Sequence, residues 1–216
     1  MTAPKVRDEP RRVTILGSTG SVGRNTVELL AADFARYAVE ALVAHRNVGL
    51  LAEQARLLGA KLAVVADDSQ YGALKAALAG SGIAAAAGAA AMVEAAARPV
   101  DWVMAAIVGA AGLAPTLAAV RQGALVAFAN KEVLVCAGAL VTAEAQRCGA
   151  RLLPVDSEHN AIFQVFAAEQ RAAIERIMLT ASGGPFRRNS LVEMAAMTPE
   201  QAVKHPIWNM GAKISV

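Results

Sequence analysis

The stretch PVDSEHNAIFQ, Pro154 to Gln164, sets two carboxylates and a hydroxyl side by side as Asp156-Ser157-Glu158. On an extended segment residues i and i+2 point the same way, so Asp156 and Glu158 could grip one cation while Ser157 turns to a neighbouring group. Carboxylate oxygens without cysteine or clustered histidine ligands suit a hard ion, Mg2+ or Mn2+. Such a pair leaves coordination positions open for substrate oxygens and water. The same residues also read as an exposed acidic loop ahead of a helix starting at Ala161.

Three further clusters carry chemistry. Asn130-Lys131-Glu132 follows the apolar run GALVAFA. Asn130 reads as a helix N-cap with Glu132 favourable in the first turn. Lys131 opposes the helix dipole there, which makes more sense if it faces an anionic ligand. TASGGPF, Thr180 to Phe186, reads either as a nest of N–H groups around Ser182 that binds a phosphate or as a plain Gly-Pro turn. HPIWNMG, His205 to Gly211, collects a polar tip, an apolar cover in Trp208 and Met210, and a glycine end. It reads as a lid over a ligand or as a packed loop.

GSTGSVG, Gly17 to Gly23, has the G-x-x-G-x-x-G spacing of a dinucleotide loop and joins a β-rich run to a helical pattern. Glycines there allow a tight turn and close approach to pyrophosphate, and the helix N-terminus offers free N–H groups. The second strand ends Ala44-His45-Arg46-Asn47, with an arginine where an NAD site would carry a carboxylate. Arg46 can neutralise a 2′-phosphate, so NADP(H) is favoured.

These clusters require a scaffold of alternating strands and helices. Strands are expected at Arg12 to Gly17, Ala38 to Ala44, Lys61 to Ala66, Asp101 to Ala106, Gly123 to Ala129 and Arg151 to Val155, with a weak strand and then a helix in Ile83 to Ala97. Helices are expected over Val22 to Phe34 and Gly49 to Leu58, and another is capped by Ser69 and ends near Gly80. The alternation implies an α/β fold, a Rossmann-like doubly wound parallel sheet with helices on both faces. After about residue 154 the loops become richer in polar residues, Gly and Pro. A helix, a strand over Glu175 to Ala181 and a short helix from Thr198-Pro199 to Lys204 then suggest the start of an incomplete α+β catalytic domain. The expected organisation is a flexible tail over 1–11, a dinucleotide-binding domain over 12–154 and the start of the second domain over 155–216.

The 216 residues are 56% hydrophobic but only 4% aromatic, so the core must be built from Ala, Val, Leu and Ile. The net charge of +3 draws on the tail residues Lys5, Arg7, Arg11 and Arg12, and no basic stripe with interleaved aromatics speaks for nucleic acid. Trp102 to Val120 is uncharged and long enough to span a membrane, but Gly109, Gly112 and Pro115 break it into strand, loop and helix. Cys136 and Cys148 have neither zinc nor redox spacing, and Cys136 reads as a small core residue. No signal-peptide run precedes the first strand, and Asp8, Glu9 and Pro10 argue against a transit peptide. A cytoplasmic, bacterial-type protein is expected.

Taken together, GSTGSVG, ANKE, PVDSEHNAIFQ, SGGPF and HPIWNMGAKISV resemble, in order, the motifs of the 1-deoxy-D-xylulose 5-phosphate reductoisomerase family. The resemblance covers essentially all of the chain beyond the tail. It implies an NADPH- and metal-dependent conversion of a sugar phosphate, 1-deoxy-D-xylulose 5-phosphate, to 2-C-methyl-D-erythritol 4-phosphate in non-mevalonate isoprenoid synthesis, usually by a homodimer. By match to the family motifs, Thr19, Gly20, Ser21 and Val22 would hold the NADPH phosphates. His45, Arg46 and Asn47 would surround the adenosine end, with Asn130, Glu132 and Gly211 also on the cofactor side. Lys131, Ser157, Glu158, Ser182 and His205 would contact substrate, with Lys131, Glu158 and His205 catalytic, and Asp156 and Glu158 would bind the metal. Family members often carry a glycine where this chain has His45.

The resemblance also implies a following segment close to DSATMMNKGLE, with a third metal carboxylate and further phosphate-binding groups. The 216 residues by themselves are therefore expected to lack normal turnover, which leaves a non-catalytic NADP-binding fragment as the alternative. A semialdehyde dehydrogenase would need a nucleophilic cysteine, and Cys136 in an apolar helix fits that poorly.

Overall fold

The computed structural model describes residues 9–180 and 183–204. Contacts divide the chain into two units, Met1–Asn160 and Ala161–Val216.

The first unit is a seven-stranded parallel sheet in the order β4-β3-β2-β1-β5-β6-β7. The strands are β1 (Arg11–Leu16), β2 (Tyr37–Ala44), β3 (Leu62–Val65), β4 (Ala84–Ala87), β5 (Trp102–Ala105), β6 (Leu125–Phe128) and β7 (Arg151–Pro154). Between them run α1 (Ser21–Ala32), α2 (Val48–Leu57), α3 (Tyr71–Ala77), α4 (Gly88–Ala96), α5 (Leu113–Arg121) and α6 (Glu132–Cys148). The strands are short and both faces are covered, so Val, Leu and Ala fill them almost without polar interruption. Residues of α1, α2 and α3, among them Val27, Leu30, Leu51 and Leu74, pack with Val13, Ile15 and Leu42 in one apolar layer. Residues of α4, α5 and α6, among them Met92, Val120 and Val141, pack with Leu16, Val43 and Val103 in the other. The winding direction reverses between β1 and β5, and loops leaving these two strands border the crevice where such sheets take ligands.

The strand expectations hold closely in this unit. Of the apolar residues in the expected first helix, Leu30 is buried together with Val27, whereas Leu29 and Phe34 are exposed. Ser69 is not a helix cap. The Asp67 carboxylate accepts from its N–H and hydroxyl in a 3-10 turn, and α3 starts afterwards at Tyr71 without a side-chain cap. Cys136 is exposed on α6 rather than buried, next to the non-helical backbone at Ala137, while Val133, Val141 and Ala145 are the buried residues of that helix. The uncharged run from Trp102 divides into β5, a loop and α5, and among the described residues no helix is long and apolar enough to cross a membrane. One buried charge is structural. The parallel register slips between Val13 and Thr14, leaving Glu40 as an extra residue in β2, and its carboxylate meets Lys61 at 2.5 Å and Arg98 at 3.4 Å.

Among the described residues of the second unit are the remainder of α7 (Ser157–Val165), a 3-10 segment (Ala168–Ala173), α8 (Leu191–Ala195) and α9 (Pro199–Ala202). Capping boxes start the last two, from Ser190 with Glu193 and from Thr198 with Gln201. The strand expected over Glu175 to Ala181 does not form in its described part, 175–180, where the backbone is irregular and exposed. Among the described residues no neighbouring strand pairs with it, and an apolar run needs such a partner to become a strand.

Two glycines separate close packing from mere helix cost. A Cβ at Gly23 would stand 2.1 Å from the Gly17 carbonyl oxygen and 2.6 Å from Ser18 Cα, whereas one at Gly72 would meet nothing within 4 Å. Gly23→Ala is expected to lose about 1–3 kcal/mol of stability, and Gly72→Ala, in α3, to gain roughly 0.5–1 kcal/mol. Urea denaturation of the two variants checks the contrast, and equal effects would contradict it.

Candidate functional site

The carboxyl ends of β1, β2, β6 and β7 carry the described candidate residues. After β1 the chain turns through Gly17 at φ +89°, and the Gly17 and Ser18 N–H groups both donate to the Val43 carbonyl at 2.8 Å. A Cβ at Gly17 would lie 2.6 Å from the Ala106 carbonyl oxygen, so the glycine is dictated by backbone approaching backbone. Thr19 and Gly20 complete the turn, and Ser21 and Val22 open α1. Gly20 at the N-cap provides no side-chain bond, and α1 has no acidic residue in its first turn. The leading N–H groups and the positive end of the dipole are thus uncompensated by side chains, which is the arrangement that favours an anion.

At the end of β2, His45, Arg46 and Asn47 are all exposed. Asn47 caps α2, its Oδ1 accepting from Leu50 N at 3.2 Å. The Arg46 guanidinium lies 3.1 Å from the Asp67 carboxylate, which follows β3. Hydrogen bonds from the Ser69 hydroxyl and N–H, opposed by partial burial and aided by Arg46, hold Asp67 below the ordinary carboxylate range.

The loop after β5 is held from the far side by the cluster after β6. Asn130 is buried and is not the N-cap; Lys131 holds that position before α6, without a side-chain cap bond. The Asn130 amide instead donates to the carbonyls of Ile107 and, at 3.0 Å, Gly109. Glu132 accepts from Gly109 N at 3.3 Å. Gly112 completes the fit, since a Cβ there would come within 2.2 Å of Asn130 Nδ2. The helix-cap reading fails because the amide finds carbonyl acceptors in a neighbouring loop, an option that no local spacing reveals.

The acidic cluster is not extended either. Asp156 precedes α7, and Ser157 and Glu158 are its first residues, so the alternation argument for a shared face does not apply. Asp156 behaves as a cap: Oδ1 accepts from His159 N at 3.1 Å and Oδ2 meets His159 Nδ1. Burial pushes the Asp156 carboxyl up, but the hydrogen bonds and charge of His159, with Lys131 nearby, outweigh it and leave the carboxyl below its usual range. Glu158 turns toward Lys131, with Oε2 3.4 Å from Nζ. β6 and β7 are adjacent with Phe128 opposite Pro154, which brings ANKE and VDSEH to one edge of the sheet. Among the described residues no three His, Cys, Asp or Glu side chains form a metal-holding group. Ser182, His205 and Gly211, with the Trp208 and Met210 of the expected lid, lie outside the described residues.

His159 and Asp67 went unnoticed in the sequence. The Asp-x-x-His spacing at a helix start could have revealed the first; the second is 21 residues from Arg46 and becomes its neighbour only because β2 and β3 pair. Replacing Asn130 by Ala is expected to cost about 1–3 kcal/mol, because carbonyls of the 107–112 loop lose their buried donor. Chemical denaturation measures this, and a loss below roughly 0.5 kcal/mol would mean that the amide does not hold the loop.

A family model described as 1-deoxy-D-xylulose 5-phosphate reductoisomerase matches residues 13–138, and one described as the C-terminal domain of that enzyme matches residues 152–216. The chain is 68% identical over 209 residues to the reductoisomerase of Rhodospirillum centenum, covering 97% of this chain and 52% of that protein. It is 58% identical to that of Zymomonas mobilis, covering 96% and 54%. The solved Zymomonas mobilis enzyme in complex with NADPH superposes with a TM-score of 0.87 over 91% of this chain and 52% of that one, at 58% identity. A reductoisomerase solved with NADPH, fosmidomycin and magnesium gives 0.88 at 38% identity, covering 95% and 53%. The chain spans about half the length of the curated relatives it matches. With both family models matched and most of the chain aligned, the protein belongs to the 1-deoxy-D-xylulose 5-phosphate reductoisomerase family.

Proposed function

We propose that this chain is the cofactor-binding part, with the start of the catalytic part, of an NADPH- and divalent-metal-dependent reductoisomerase. The enzyme would convert 1-deoxy-D-xylulose 5-phosphate to 2-C-methyl-D-erythritol 4-phosphate in the non-mevalonate route to isoprenoids. The observation that carries this is the Lys131–Glu158 pair at 3.4 Å, which joins the two most chemically loaded segments at the carboxyl edge of a dinucleotide-binding sheet. Relatives of this family have been solved with NADPH and magnesium. The reading includes a domain boundary near residue 154, a cytoplasmic homodimer and Mg2+ or Mn2+ as the metal, as the family resemblance implies.

The residues present fit NADPH and offer two carboxylates toward a metal. For NADPH, the uncapped start of α1 offers N–H groups to the pyrophosphate through Thr19, Gly20, Ser21 and Val22, and Arg46 is an exposed cation for the 2′-phosphate with His45 and Asn47 beside it. Asn130 and Glu132 shape the cofactor side by fixing the loop after β5. For the metal, Asp156 and Glu158 are hard oxygen donors, and each already faces a cationic or protonatable partner, so positive charge is accommodated at both. A cation held there supplies Lewis acidity to a substrate carbonyl, and NADPH supplies hydride. Lys131, half exposed, can exchange Glu158 for a substrate oxygen and stabilise negative charge developing on it. Ser157 offers a hydroxyl to the substrate at the start of α7. Ser182 and His205 are assigned to the substrate and Gly211 to the cofactor on their sequence motifs.

Two experiments test the reading. In the whole protein that contains this chain, NADPH oxidation should require both the sugar phosphate and Mg2+ or Mn2+, and Asp156→Asn and Glu158→Gln should each lower kcat by about 100-fold or more. Tight NADPH binding without any turnover would favour a non-catalytic NADP-binding protein. Arg46→Ala should reduce the preference for NADPH over NADH by roughly 10- to 100-fold; an unchanged ratio in binding titrations removes Arg46 from the 2′-phosphate site.

A further inference from the structure

Gln54 is the least explained polar residue of the first unit. It lies on α2, only 4% exposed, on a helix whose neighbouring residues Leu51, Ala52 and Ala55 are buried in the apolar layer beside β1 and β2. Its Nε2 donates to the Ser18 carbonyl at 3.0 Å, across 36 residues of sequence, in a fully enclosed setting. Among the described residues its Oε1 accepts no hydrogen bond. A buried amide with one end unanswered contributes little net stability, and an apolar side chain of similar shape would suit that layer as well. What the amide does provide is direction, because a donor at that point accepts only one position of the Ser18 carbonyl.

Ser18 is the residue that most needs fixing. It is wholly buried inside the glycine turn, and its N–H and that of Gly17 share the Val43 carbonyl. The backbone of β2 therefore holds the N–H side of the turn, and Gln54 holds its carbonyl side. α2 begins one residue after Asn47, and Asn47 caps it. One rigid helix of three turns thus carries the 45–47 segment at its start and the clamp on the glycine turn near its end.

We propose that Gln54 is a positioning residue that registers the glycine turn against the 45–47 segment, so that the pyrophosphate and 2′-phosphate subsites of the dinucleotide stay at a fixed separation. It touches no ligand itself. The inference deepens the cofactor reading above and rests on it for the identity of the ligand, but the clamp itself is a property of the free protein.

The test uses Gln54→Met, which keeps length and volume and removes the donor. In the free protein, the Gly17 and Ser18 amides should exchange hydrogen at least about tenfold faster, while the amides of β3 are unchanged and the thermal midpoint moves by no more than about 4 °C. NADPH should bind about tenfold more weakly, whereas 2′-AMP, which lacks the pyrophosphate, should bind the variant and the unchanged chain alike. Loss of both ligands with faster exchange throughout the sheet would indicate a general packing role and overturn the proposal. So would unchanged exchange at Gly17 and Ser18. If the unchanged chain binds neither ligand, the cofactor reading fails, and the exchange measurement still decides whether Gln54 holds the turn.

Discussion

A single carbonyl, that of Val43, accepts both the Gly17 and Ser18 N–H groups at 2.8 Å. It can do so only because the turn after β1 presses backbone against backbone, with no room for a Cβ at Gly17 or Gly23. Everything at the carboxyl edge of the sheet follows from that approach. It fixes where α1 begins, and therefore where its uncompensated N–H groups point. It also brings Ala106, at the start of the loop after β5, against Gly17, so the two loops flanking the reversal of strand order share one wall. The site is not a set of side chains added to a finished sheet, since its geometry is already decided by how closely the strands' exits can pass.

The second loop is fixed by a different device of the same kind. Asn130 reaches across from the end of β6 to the carbonyls of Ile107 and Gly109, and Gly112 is small because that amide occupies the space a side chain would need. Gln54 and Asn130 are both buried primary amides, and both donate to carbonyls of distant loops rather than to their own chain neighbours. A buried amide is a costly way to fill a core but an effective way to select one loop conformation. That two flank the same crevice argues that loop placement, rather than stability, has shaped this part of the interior.

Much of this was legible in the sequence because it is periodic. Short β-branched and alanine-rich runs separated by helical stretches could hardly be anything but a parallel sheet, and even Ala84 to Ala87, with no β propensity, forms β4 because β3 offers it a partner. The glycine turn was legible because its spacing is a steric requirement. What escaped were contacts made by chain segments far apart. Asn130 looked like a cap because caps are local, and nothing local reports carbonyls 21 and 23 residues upstream. Asp156 to Glu158 looked extended because β7 precedes them, but the Asp156 carboxylate can stop the strand and start α7 in a single step by accepting from His159. Cys136 looked buried because its neighbours are apolar, yet α6 buries only one stripe, and the non-helical backbone at Ala137 interrupts the pattern beside it. In the second unit the failed strand over 175–180 has apolar residues but, among the described residues, no neighbouring strand to order them.

The ionisable groups at the sheet edge share one habit. Arg46 faces Asp67, Lys131 faces Glu158, and His159 faces Asp156. A site proposed to receive phosphates and a divalent ion needs charge to offer them, and in the free protein these pairs offset it. Their exposure resolves the tension. Arg46 is 68% exposed in its pair, and Lys131 and Glu158 are 50% and 41% exposed in theirs, where ion pairs are worth on the order of 0–1 kcal/mol. Contacts that weak orient side chains in the free protein without holding them against a better partner. A phosphate at Arg46 makes charge-assisted bonds roughly twice as strong as neutral ones, and a dication between two carboxylates outweighs a single ammonium at the same distance. The proposed site thus keeps Arg46, Lys131 and Glu158 solvated and pre-aimed, ready to exchange partners on binding, while Asp67 and Asp156 lie deeper at 21% and 10% exposed. On that proposal the exposed charges meet the ligands at the rim of the sheet, while the buried amides of Gln54 and Asn130 place the loops beneath them.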